Sequence, residues 1–248
     1  MGEQIPMNIA IIGCGFIGQK RLKTINSHVL TYAIDSNKEK ALLIASTKPG
    51  AKVSSNWQDA VSDKNTDMII VATTNDLLAE ITLNAVRKGK HVLVEKPAAR
   101  FSEELEPIIK EVRKNNVKVK VGFNHRYHPA IRKAKEIIDR GGIGSLMYLR
   151  ATYGHGGRIG YDKEWRARKE IAGGGELLDQ GMHLIDLSKW FLGEIAEANG
   201  FVHTYFWNMP VEDNGFVILK TPKKQVAWLH VSCSEWKNCF SMEIFGKR

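Results

Sequence analysis

Asn8-Ile9-Ala10-Ile11-Ile12-Gly13-Cys14-Gly15-Phe16-Ile17-Gly18 is the stretch whose reading decides the fold. An apolar run without alternation ends in glycines spaced G-x-G-x-x-G, and helical spacing follows through Ile17, Leu22 and Ile25. A buried strand that turns through glycines into a helix is the context that gives this motif meaning. Gly13 permits the tight turn, Gly15 lets a pyrophosphate approach the backbone, and Gly18 lets the helix pack on the strand. Phe16 and Ile17 open the helix whose free N–H groups face such phosphates. Asp35 ends the next apolar run, Val29–Ile34, at the separation expected of an acid that binds a ribose hydroxyl. A carboxylate there favours NAD by repelling a 2′-phosphate, and nearby Lys38 keeps NADP possible. Cys14 reads as the small residue between two glycines. The plain alternative is a glycine turn in an ordinary α/β unit. A methyltransferase also uses such a loop and acid, but nothing later in the chain fits one.

Working outward, strands and helices alternate. Val29–Ile34, a short strand from Val53, Met68–Ala72, His91–Val94 and Lys118–Phe123 read as strands. Lys38–Ser46, Trp57–Ser62, Asp76–Lys88 and a segment opening at Ser102 read as helices, with Gly89 as a C-terminal cap. Strands alternating with helices imply a doubly wound parallel sheet of the Rossmann type. After about Asn124 the pattern changes. His128–Asp139 and Glu176–Phe191 are helical, Leu146–Tyr153 alternates as a strand, and glycine-rich loops surround Gly154–Gly160 and Gly173–Gly175. From Ala198 on, short strands separated by turn residues suggest an antiparallel sheet. The expected fold class is α/β: residues 1–123 as an NAD(P)-binding Rossmann domain, and residues 124–248 as an α+β substrate-binding and oligomerisation domain with an open, mostly antiparallel sheet.

Composition narrows the class. The chain has 248 residues, 43% of them hydrophobic, which suits a packed core better than disorder. No apolar run approaches the length of a membrane span, and the first residues lack the features of a signal peptide. Three cysteines, Cys14, Cys233 and Cys239, are too few and too odd for a disulfide framework, so a cytoplasmic setting is expected. The net charge of +9 comes from scattered clusters, including Lys20–Lys23 and Arg166–Lys169, which read as solvated faces. Nucleic acid is therefore not the expected partner, and a small anionic cofactor or substrate explains the excess more simply.

Two segments point to chemistry. Glu95-Lys96-Pro97 follows the strand His91–Val94, and Gly173-Gly174-Gly175-Glu176-Leu177-Leu178-Asp179-Gln180-Gly181-Met182-His183 spans the second glycine run. Asp179 and His183 stand four residues apart, so a helix puts both on one face. A histidine beside a carboxylate is a usual base with an orienting partner. Together with the N-terminal loop, Val71–Asn75, Gly122–Pro129, Trp165-Arg166 and Glu243–Gly246, these segments resemble the Gfo/Idh/MocA family of sugar and inositol oxidoreductases along nearly the whole chain.

The resemblance implies an NAD(P)-dependent dehydrogenase acting on a CH–OH group of a sugar, sugar derivative or cyclitol. It implies that His183 takes the hydroxyl proton, that Asp179 orients the substrate or the imidazole, and that Lys96 stabilises charge on the reacting oxygen. Pro97 would fix the turn presenting Lys96, with a peptide bond that family members often hold in cis. Thr73, Asn75, Glu95, Lys96, Asn124, Arg126, Trp165 and Arg166 are implied cofactor contacts, with a solvated charge run as the alternative for Arg166. Tyr153, His155, Arg158 and Tyr161 are candidate substrate contacts, with an exposed loop histidine as the alternative for His155. Tyr205-Phe206-Trp207 reads as sheet surface. A metal on Glu176, Asp179, His183 and Asp186 is not expected, because no second histidine lies near in sequence. The resemblance also implies a homodimer or homotetramer through the open sheet, and further elements beyond Gly246, so that the chain reads as a shortened form. A nicotinamide-binding regulatory or assembly protein of the same fold is the alternative function.

Overall fold

A computed structural model describes residues 5–248. They form two compact units, one reaching to Gly122 and one spanning Phe123–Arg248.

The first unit alternates β1 (Asn8–Ile12), α1 (Phe16–Leu22), β2 (Val29–Ile34), α2 (Lys38–Ala45), β3 (Lys52–Ser54), α3 (Gln58–Ser62), β4 (Met68–Val71), α4 (Asn75–Arg87), β5 (His91–Val94), α5 (Leu105–Asn115) and β6 (Val119–Val121). The strands make one sheet in the order β3-β2-β1-β4-β5-β6, and every pair is parallel. Successive side chains of β1 serve opposite faces. Ile9 and Ile11 pack with Ile25, Leu30, Ala41 and Ile44 on one side. Ala10 and Ile12 pack with Leu78, Ile81 and Ala85 on the other. This is why the run shows no polar alternation: both faces are covered by helices. Strand order reverses between β1 and β4, the place where ligands bind in such sheets.

The second unit contains α6 (Pro129–Asp139), β7 (Leu146–Gly154), α7 (Lys169–Ala172), α8 (Met182–Leu192), β8 (Glu197–His203), β9 (Asn214–Lys220), β10 (Val226–Ser232) and β11 (Cys239–Gly246). Its sheet runs β11-β7-β10-β9-β8. Three of its four pairs are antiparallel, whereas β10 runs parallel to β7. One face buries Leu149, Leu229, Val217 and Leu219 against Leu184, Leu187 and Phe191 of α8 and Ile131 of α6. The other face leaves Tyr148, Ile218 and Trp228 exposed.

Two local expectations change. The helix expected from Glu176 begins instead as a wider π-helical turn, Leu177–Gly181, before α8. The chain before β9 comes so close at Gly175 that a Cβ there would stand 2.0 Å from the Glu212 carbonyl oxygen. Glu212 then takes the Glu176 N–H on its carbonyl (2.9 Å) and the Leu177 N–H on its carboxylate (3.2 Å), satisfying amides that a helix start leaves open. Second, Tyr205-Phe206-Trp207 lies outside the sheet. The buried Asp213 carboxylate collects all three amides at 2.9, 2.7 and 3.0 Å, so they cannot join a strand ladder.

Candidate functional site

In the first unit, the end of β1 is built tightly on both sides of one opening. Gly13 has φ +94°, and a Cβ there would lie 2.4 Å from the Ala72 carbonyl oxygen at the end of β4. A Cβ on Gly18 would lie 2.0 Å from the Gly13 carbonyl oxygen. At Gly15 nothing stands within 4 Å of that position. The loop therefore needs glycine at Gly13 and Gly18 for its own packing, and at Gly15 for room that it does not itself fill. That space suits a pyrophosphate approaching the backbone.

Asp35 is aligned to the same loop. Its Oδ2 accepts the Cys14 N–H and its Oδ1 accepts the Asn37 N–H, both at 2.8 Å. Each oxygen keeps acceptor capacity for a sugar hydroxyl. Phe16 and Ile17 are exposed at the start of α1, with the Lys20 ammonium over the Phe16 ring. Thr73 donates to the Thr74 carbonyl at 3.1 Å, and Asn75 is buried at the first turn of α4. The residues present thus fit a dinucleotide.

Glu95 and Lys96 follow β5 at the same end of the sheet. The Lys96–Pro97 peptide bond is cis. The Arg21 guanidinium grips Glu95 Oε1 through Nε at 2.6 Å and through its terminal nitrogen at 2.5 Å. Arg21 is thus no member of a solvated basic face. Gly122 makes room for this pair, since a Cβ there would press to 2.8 Å on Glu95 Oε2.

In the second unit, His183 is 5% exposed. Its imidazole stacks face to face on His125, with centroids 4.0 Å apart and planes 9° from parallel. Phe123 meets the His183 ring edge-on at 6.2 Å, and Tyr153 lies 6.3 Å away. Asp179, on the π-helical turn, receives the Arg166 Nε at 3.0 Å. Arg166 also stacks over Trp165 at 4.5 Å, so it belongs to the Asp179 cluster rather than to a solvated run. Arg126 forms a two-pronged pair with buried Asp186, at 2.7 and 2.5 Å. Asn124 opens the short turn that carries His125 and Arg126.

The glycine-rich loop adds a further cluster. His155 Nδ1 accepts the Gly157 N–H at 3.0 Å, which places the ring proton on Nε2, facing buried Glu176 at 3.3 Å. Tyr161 is buried beside His155 and Trp207. Burial, then the charges of Asp179 and Glu176, push the Tyr153 phenol up. Burial, then Glu176 and Asp179, do the same for Tyr161. Both phenols therefore keep their protons. Arg158 stands apart, exposed and paired with Glu164 at 2.7 Å. Among the described residues, no group of three or more His, Cys, Asp or Glu side chains could hold a metal ion, and no helix is long and apolar enough to cross a membrane.

Comparison with known proteins accounts for both units. The model of the oxidoreductase family with an NAD-binding Rossmann fold matches residues 7–123, and that of the GFO/IDH/MocA C-terminal domain matches residues 131–248. The chain belongs to the GFO/IDH/MocA family. Within the family, levoglucosan dehydrogenase of Pseudarthrobacter phenanthrenivorans is 31% identical over 87% of this chain and 58% of its own length. Inositol 2-dehydrogenase 2 of Saccharopolyspora erythraea is 30% identical, over 88% of this chain and 64% of its own length. The chain thus spans less than two thirds of these curated relatives. A solved levoglucosan dehydrogenase in complex with NADH and levoglucosan superimposes with a TM-score of 0.90 at 27% identity, covering 98% of this chain and 72% of that one.

This GFO/IDH/MocA chain also shows what the motifs conceal. Arg21, Glu212 and the stacking of His125 carry no local signal, because their partners lie far along the sequence. Glu176 was readable only as part of a glycine-rich motif and as a member of a metal set that was not expected, yet it is 2% exposed and sits on His155.

Proposed function

We propose that this chain belongs to an NAD-dependent dehydrogenase that moves a hydride between nicotinamide and a secondary alcohol or ketone of a sugar, sugar derivative or cyclitol. The observation that carries the reading is a buried imidazole, His183, one turn after the anchored carboxylate Asp179, in a chain that also carries a glycine loop open at Gly15. The names of the relatives point to the same substrates: levoglucosan and inositol are polyols. Residues 1–123 are assigned to the dinucleotide and 124–248 to substrate and assembly.

Gly13, Gly15, Gly18 and Asp35 would hold the pyrophosphate and ribose, with Thr73, Asn75 and Glu95 as further contacts. When bound, nicotinamide supplies the hydride acceptor or donor. His183 takes the substrate hydroxyl proton on an imidazole nitrogen during oxidation and returns it during reduction. The Lys96 ammonium stabilises negative charge on the reacting oxygen. Asp179, held by Arg166, orients the substrate. Tyr153, with its proton retained, donates to a substrate oxygen. The unsatisfied carboxylate capacity of Asp35 favours NAD over NADP.

The exposed Tyr148, Ile218 and Trp228 on the open sheet face support a homodimer or homotetramer formed through it. The three cysteines are unbridged, which suits the cytoplasm.

The test is a panel of sugars and cyclitols with NAD, followed by NADH absorbance. Turnover should fall by about 100-fold or more in both Lys96→Ala and His183→Asn. Tight NAD binding without turnover on any polyol would favour the regulatory alternative.

A further inference from the structure

We propose that His125 is a positioning residue for His183: near neutral pH the two stacked imidazoles carry at most one positive charge between them, that charge resides on His125, and His183 is thereby kept neutral as a base. The proposal rests on the reading of His183 as the base and adds a partner that sets its protonation.

The geometry is specific. The rings are 4.0 Å apart and 9° from parallel. A protonated imidazole over a neutral one is attractive, as a cation over a π-face is. Two protonated rings at that separation repel, so the second proton is resisted. Burial favours His125 as the site of the first added proton. His183 is 5% exposed, whereas His125 is half-buried. Phe123 walls the His183 side edge-on, and Phe240 meets His125 edge-on at 5.5 Å. Charge on the inner ring is therefore the costlier choice. Interacting sites of this kind titrate as a pair rather than as two independent residues.

Other ionisable groups surround the pair. Tyr153 on β7 lies 5.3 Å from His125 and 6.3 Å from His183. The π-helical turn before α8 brings Asp179 with Arg166, and Glu176 stands just before it with His155. Arg126 and Asp186 neutralise each other across the short turn and α8.

The deciding measurement is NMR titration of isotopically labelled histidine in the full chain, assigned with His125→Gln and His183→Asn. The expected result is that the two rings titrate in steps separated by more than about one pH unit, and that His125→Gln raises the titration of His183. A kinetic readout follows the same logic. In His125→Gln the acid limb of kcat/KM for alcohol oxidation should move up by about one pH unit, while at high pH the rate stays within about threefold. His125→Lys, which restores a cation, should return the limb toward its original position. Independent titration of the two rings overturns the proposal, as does an unmoved His183 titration in His125→Gln. If the rings titrate as a pair yet His183→Asn turns over normally, the assignment of His183 as the base fails and the coupling stands.

Discussion

The Cys14 amide donates to the Asp35 carboxylate at 2.8 Å, tying the end of β2 to the glycine loop that follows β1. The acid is thus aimed before any ligand arrives. Replacing it removes a loop contact and, on the proposed reading, a ribose contact. Asp35→Ser is expected to weaken NAD binding about 10-fold or more and to narrow the preference over NADP. Fluorescence titration of the two cofactors checks this. Unchanged affinity for both would separate Asp35 from the nucleotide.

Gly15 and Gly18 should part company when changed. A methyl group on Gly18 meets the Gly13 carbonyl oxygen at 2.0 Å, and backbone must move. Gly18→Ala should cost about 1–3 kcal/mol of stability. Gly15 has φ −69° and open space around it, so Gly15→Ala should change stability by about 1 kcal/mol or less. NAD affinity should nevertheless drop in Gly15→Ala. Thermal melts with and without NAD read both effects.

Asp213 makes stability depend on acid. Burial pushes its carboxyl up, but the Asn214 side chain and the amides of Trp207, Tyr205 and Phe206 outweigh this and hold it below the usual range. A lowered carboxyl stabilises the fold above its unfolded value, about 3.9, and the contribution is lost as pH falls through the lower folded value. Asp213→Asn should cost about 1–3 kcal/mol at neutral pH, and its gap from the wild type should shrink below about pH 4. Urea midpoints at neutral and acid pH decide the matter, and a gap constant with pH would contradict it.

The cysteines should react in a fixed order. Burial, then the nearby Asp35 charge, push the Cys14 thiol up to about 12. Cys233 is buried and pushed up as well, by burial first and then by Glu176. Cys239 on β11 is partly exposed. Iodoacetamide in mild base should modify Cys239 first and leave the other two until unfolding, as mass spectrometry of digests would show. Early labelling of Cys14 would mean that the loop opens.

Much of the first unit was legible because its signals are local. Apolar runs, a glycine spacing and a following acid occur within a few dozen residues and point the same way. The second unit was less so. The parallel pairing of β10 with β7 has no sequence mark, since α8 and two strands intervene. Asp179 and His183 were visible as a spaced pair. The wider turn carrying Asp179 was not, because Glu212, far along the chain, shapes it. Arg21 read as ordinary surface charge, and Arg166 as an implied cofactor contact or a solvated charge, until the fold supplied Glu95 and Asp179. The histidine stack is the extreme case: two rings separated along the chain meet only through packing of the second unit.

β1 has only five residues, and its odd and even side chains feed two separate cores. An extra residue inserted there would exchange the two sets, driving isoleucine into the place of alanine on one side and alanine into the place of isoleucine on the other. The same slip would rotate the glycine turn away from β4. Drift in chain length is therefore closed to this strand, while substitution within each set remains open. Relatives of this chain should vary in length at the surface turns and keep the spacing from Asn8 to Gly18 fixed.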